Sequence, residues 1–76
     1  MSTKGKKEII PRIRSWKAAC VANGLTYKEI IEAEGLKYDS VINAMGNALA
    51  GNSKAISHRR MRQLEIALLR IIESKQ

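Results

Sequence analysis

Lys37, Tyr38, Asp39, Ser40 and Asn43 crowd polar groups into one short stretch of a 76-residue chain. Their chemistry is recognition by hydrogen bonds. Asn and Ser can bond to base edges, Lys can reach guanine or phosphate, and an acid can accept from cytosine. Bond-making chemistry finds no equipment here. No nucleophile stands with a base, and His58 is the only histidine, so no carboxylate–histidine set can be assembled. Cys20 is the only cysteine, which excludes an internal disulfide and a thiolate metal site. The sequence therefore predicts no enzyme, no metal, no cofactor and no small-molecule ligand.

The polar run must be held by something. Helix 1 is expected from about Glu8 or Pro11 to Ala22. Proline suits a first helical turn, where its missing N–H would be unpaired anyway. Ile9 or Ile10, Ile13, Trp16 and Cys20 recur at three- and four-residue steps and form its buried stripe. Asn23-Gly24 stops it. Thr26 and Glu29 complete a capping box that opens helix 2, which carries Ile30, Ile31 and Ala33 and ends at Gly35. Helix 3 is expected from Tyr38 or Asp39 to about Ala50, capped by Asp39 or Ser40, with Val41, Ile42, Met45 and Leu49 apolar. Gly46 in its middle costs about 1 kcal/mol relative to Ala. A loop spans 51–56. Helix 4 runs from Ser57 to about Ser74, and Met61, Leu64, Leu68, Ile71 and Ile72 share one face. Strand signals are absent. The fold class is all-α: a small bundle of four helices, or five, containing a helix-turn-helix. Residues 1–7 read as a flexible basic arm, and residues 8–76 as one DNA-binding domain.

Composition bears on the partner. There are 14 Lys+Arg against 7 Asp+Glu, giving a net charge of +7. Such an excess favours an anionic partner, nucleic acid or a membrane surface. No apolar run approaches the roughly 20 residues that span a bilayer, and no signal-peptide pattern opens the chain. The expected location is the cytoplasm.

The segment Gly24-Leu-Thr-Tyr-Lys-Glu-Ile-Ile-Glu-Ala-Glu-Gly-Leu-Lys-Tyr-Asp-Ser-Val-Ile resembles the core of the lambda-repressor-like family of phage Cro and repressor proteins. The family pattern reads Gly-Leu-Thr-Gln-x-Glu-Leu-Ala-x-x-Leu-Gly-Val-Ser-x-x-Thr-Ile. The match covers about twenty residues from Gly24 without a gap; the rest of the chain fits in outline. Three departures stand out. Ile31 replaces a small residue at the closest approach of the two helices. Glu34 replaces an aliphatic one. The family's fifth helix is not evident.

The resemblance implies a helix-turn-helix whose second helix enters the DNA major groove. Two registers are open. In one, Lys37, Tyr38, Asp39, Ile42 and Asn43 face DNA while Val41 and Met45 are buried. In the other, Tyr38, Asp39, Ser40 and Asn43 face DNA and Ile42 is buried. Tyr27 matches a phosphate-contacting position of the family. Lys28, Asn47, Asn52 and Lys54, with Lys4, Lys6 and Lys7 of the arm, are further backbone candidates. Ile66 and Leu69 lie off the core face of helix 4 and are candidate dimer contacts.

The expected function is sequence-specific DNA binding by a phage or prophage regulator, acting as a homodimer on double-stranded DNA, which implies the cytoplasm or nucleoid of a bacterial host. A second reading is a small basic helical adaptor or inhibitor that binds protein, with Arg59, Arg60 and Arg62 meeting an acidic partner. A third is a non-specific RNA or membrane-surface binder using helix 4, weakened because that helix needs its apolar face for the core.

Overall fold

The computed structural model describes residues 4–75, with side chains from position 9 onward. It holds four α-helices in the order α1 Lys4–Ala22, α2 Tyr27–Ala33, α3 Tyr38–Leu49 and α4 His58–Lys75. No strand and no fifth helix occur among the described residues. The two long helices, α1 and α4, pack on each other; α1 also packs on α3, and α2 packs on both α3 and α4.

One core joins all four helices. Ile9, Ile13, Trp16 and Cys20 enter from α1 at steps of four, three and four, which is the one-face spacing of a helix. Ile30 and Ile31 enter from α2, Val41, Met45 and Ala48 from α3, and Met61, Leu64, Ala67 and Leu68 from α4. Leu25 and Ile56 join it from the connecting segments. Each fully buried Ile, Leu or Met contributes roughly 1.5–3 kcal/mol. Ala33, expected on the apolar side of α2, is exposed, because α2 is only two turns long and Ile30 and Ile31 already fill its contact with α3 and α4.

α1 starts earlier than its sequence suggests. Lys4 to Lys7, expected in a flexible arm, form helical backbone, and Pro11 lies inside the helix rather than in its first turn. Lys and Glu are good helix formers, and Ile9 is fully buried, which anchors the turn before it. Pro11 leaves the Lys7 carbonyl without a helical donor. Residues 1–3 of the expected arm lie outside the described residues, as do the side chains of Lys4, Lys6 and Lys7.

Each of the first three helices closes in the same way. The residue three past its end bonds back to the third-last carbonyl, and the glycine before it bonds one turn back. For α1 these are Leu25 N to Cys20 O at 2.8 Å and Gly24 N to Val21 O at 3.0 Å. For α2 they are Leu36 N to Ile31 O at 3.3 Å and Gly35 N to Glu32 O at 3.0 Å. Gly24 has φ +68° and Gly35 has φ +74°, values an L side chain rarely adopts.

Candidate nucleic-acid interface

Two local devices fix the entry and exit of α2. Thr26 Oγ1 accepts from the Glu29 N–H at 3.2 Å, and Glu29 Oε2 accepts from the Thr26 N–H at 2.9 Å. The Thr26 hydroxyl donates to the same carboxylate at 3.0 Å. These bonds hold the Glu29 carboxyl below its ordinary value of 4.5, with the Thr26 backbone N–H the largest cause. At the other end, the turn at Gly35 and Leu36 leads into α3, which packs on α2.

α3 begins at Tyr38, with Lys37 as its N-cap and no side-chain cap bond. Asp39 and Ser40, expected as caps, therefore sit inside the first turn, because the N-cap falls two residues before Asp39 and three before Ser40. An acid there still favours the positive end of the helix. Val41, Met45 and Ala48 are buried and Ile42 is half-buried. The buried pair Val41 and Met45 is that of the gapless register. Ser40 is nonetheless exposed, as the longer-turn register has it.

At about 100° per residue, Asp39, Ser40, Asn43, Gly46 and Asn47 fall on one arc of α3, and all are exposed. Among the described residues, the side chains of Lys37, Asp39, Ser40 and Asn43 make no hydrogen bond or ion pair. Their polar groups are available to a partner.

Tyr38 differs from its neighbours. It is half-buried against the core and shares a hollow of about 320 Å³ with Val21, Tyr27 and Lys28. Tyr27 is also half-buried. Its ring lies 5.6 Å from that of Trp16, and the Lys17 ammonium sits 5.5 Å from its centroid. Both tyrosines are thus partly structural. They join the starts of α2 and α3 into one rim, with Lys28 exposed beside them.

The remaining candidates lie around this rim or away from it. Lys37 and Ser40 line a second hollow of about 530 Å³ with Ser57 and Arg60, floored by Val41 and Ile56. Asn52 Oδ1 accepts from the Lys54 N–H at 3.2 Å, which shapes the loop and leaves the Lys54 ammonium exposed. Asn47 is exposed one turn beyond Asn43. Ile66 and Leu69 are 42% and 57% exposed on α4, in line with their off-core position.

Two polar clusters have no precedent in the sequence reading. Arg12 forks onto Glu65, at 3.1 Å from Nε and 2.7 Å from Nη2, and its Nη1 lies 3.0 Å from His58 Nδ1. This ties α1 to the start and middle of α4. Gln63 Nε2 donates to Glu34 Oε1 at 3.1 Å, and Arg60 Nη1 donates to Gln63 Oε1 at 2.9 Å. Glu34 is thereby used as a hydrogen-bond anchor where the family pattern has an aliphatic contact. The unusual residue type at position 34 was a signal; its partner, 29 residues away, was not visible.

Cys20 is fully buried, and burial pushes its thiol up to about 11, with the charge of Glu29 adding to the effect. It stays a neutral, unreactive thiol at physiological pH. Among the described residues no group of three or more His, Cys, Asp and Glu is placed to hold a metal, and no helix is long and apolar enough to cross a membrane. In comparisons with protein families, curated proteins and solved structures, nothing matches this chain.

Proposed function

We propose that this chain is a sequence-specific DNA-binding regulator of the phage Cro and repressor kind, reading the major groove with the first turns of α3. The observation that carries the reading is the exposed polar arc of Asp39, Ser40 and Asn43, set just past a glycine turn and free of internal partners. A major groove about 12 Å wide admits such a helix. The net charge of +7 supplies attraction to the phosphates.

Roles divide by position. Asn43 and Ser40 read base edges, with Asp39 accepting from cytosine. Lys28, Lys37 and Lys54 contact phosphates on either side, and the half-buried Tyr27 and Tyr38 offer their hydroxyls at the rim. Phosphate contacts set the register, and base contacts set the choice of sequence. Two copies would occupy the halves of a palindromic site, as helix-turn-helix proteins commonly do.

Selection of bound sites from a random duplex library tests this. The expected result is an enriched consensus with two-fold symmetry. Recovery of unenriched, random sequence, with affinity set by salt alone, would remove the sequence-reading role.

A further inference from the structure

The outward face of α4 carries a pattern that DNA reading by α3 does not use. Arg59, Arg62, Ile66 and Arg70 follow at steps of three, four and four, with Leu69 at the border, so all lie on one arc of the helix. All five are exposed. The three guanidinium groups have no hydrogen-bond or ion-pair partner among the described residues. From Arg59 to Arg70 the stripe extends about 16 Å, three turns at 1.5 Å per residue.

We infer that this face docks an acidic helical segment of another protein, about three turns long, whose carboxylates meet Arg59, Arg62 and Arg70 around an apolar side chain seated on Ile66 and Leu69. Charge complementarity selects the partner. An arginine-rimmed apolar centre is also the composition that protein interfaces favour. A nucleic-acid backbone would satisfy the arginines but leave Ile66 and Leu69 uncovered. A second copy of the chain fits poorly. Antiparallel pairing centred on Ile66 would set each Arg62 against the other copy's Arg70, nearer the centre than the favourable Arg59 and Glu73 pairs. A lipid surface would need an apolar face, and Met61, Leu64 and Leu68 are buried in the core. The inference does not depend on the DNA reading of α3.

The test uses the full chain and a displayed library of random 16-residue peptides. The expected winners are net acidic with a central Leu, Ile or Phe. One winner, synthesised and labelled, should bind at least about tenfold more weakly to the Arg62→Glu, Arg70→Glu variant, and its affinity should fall with salt. Swapping the winner's acids for lysines should restore binding to that variant. Arg62→Gln, Arg70→Gln serves as a milder pair, and helical circular dichroism checks that both variants fold. Absence of an acidic consensus, or equal binding to wild type and variants, would overturn the inference. So would either of two other results: wild-type dimers that the charge reversal dissociates, which would assign the face to a second copy, or a loss of duplex-DNA affinity as large as the loss for peptide.

Discussion

The indole N–H of Trp16 donates to the Leu64 carbonyl at 3.0 Å, joining the middle of α1 to the middle of α4 inside the core. The indole is 2% exposed, so its polar edge needs such a partner. Trp16→Phe removes the donor and part of the ring. The Leu64 carbonyl can still accept within its own helix, so the cost should be modest, about 1–2 kcal/mol. Trp16→Ala leaves a cavity and should cost about 3–5 kcal/mol. Urea unfolding of both variants checks this. Equal losses would mean that ring volume is unimportant and the hydrogen bond is everything.

Gly35 and Gly46 should respond to alanine with opposite signs. A Cβ at either meets nothing within 4 Å, so sterics with neighbours decide neither case. Gly35 has φ +74°, and Gly35→Ala should cost roughly 1–2 kcal/mol in backbone strain. Gly46 lies in regular helix, and Gly46→Ala should stabilise by about 1 kcal/mol. Gly46 also lies on the exposed arc with Asn43. If the groove approaches the backbone there, Gly46→Ala will melt at a higher temperature yet bind its DNA site more weakly. A variant that melts higher and binds equally well would place the close approach elsewhere.

The Glu29 capping box sets a pH dependence. Its carboxyl is held below 4.5 by the bonds from Thr26, so the folded state releases this proton more readily than the unfolded state does. The stabilisation is therefore fully present above about 4.5 and is lost as pH falls through the lower folded value. Glu29→Gln keeps an oxygen acceptor and removes the titration. Its stability should change less than that of the wild type across the acid range. Parallel curves of melting temperature against pH would show that the box contributes nothing to acid unfolding.

What could be read from the chain alone was local. Thr26 with Glu29, and the stops at Gly24 and Gly35, are written within three or four residues, and the structure has them where the sequence puts them. The core stripes of α1 and α4 are equally plain from helical spacing. The missed features need distance or context. Arg12 and Glu65 are 53 residues apart, and nothing near either names the other. The helical course through Pro11 depends on Ile9 being buried by the rest of the bundle. α3 starts at Tyr38 as expected, but its N-cap is Lys37, which makes Asp39 a first-turn acid rather than a cap. Tyr38 is expected to face DNA, and packing holds it half in the core.

That last difference decides how the proposed DNA surface should be tested. Asn43 is exposed and unpartnered, so Asn43→Ala should leave stability unchanged within about 0.5 kcal/mol. On the selected DNA site it should cost about 1–3 kcal/mol, with little effect on random duplex. Tyr38→Ala would mix lost packing with lost contact. Tyr38→Phe keeps the ring that packs on the core and removes only the hydroxyl. It should weaken the specific site with no change in melting temperature, if that hydroxyl meets DNA. Lys28→Ala and Lys54→Ala should instead weaken specific and random DNA alike, each lowering the slope of log affinity against log salt by about one contact. Fluorescence anisotropy at several salt concentrations separates these classes. Equal losses on specific and random DNA for Asn43→Ala would remove that residue from sequence reading and reduce α3 to an electrostatic contact.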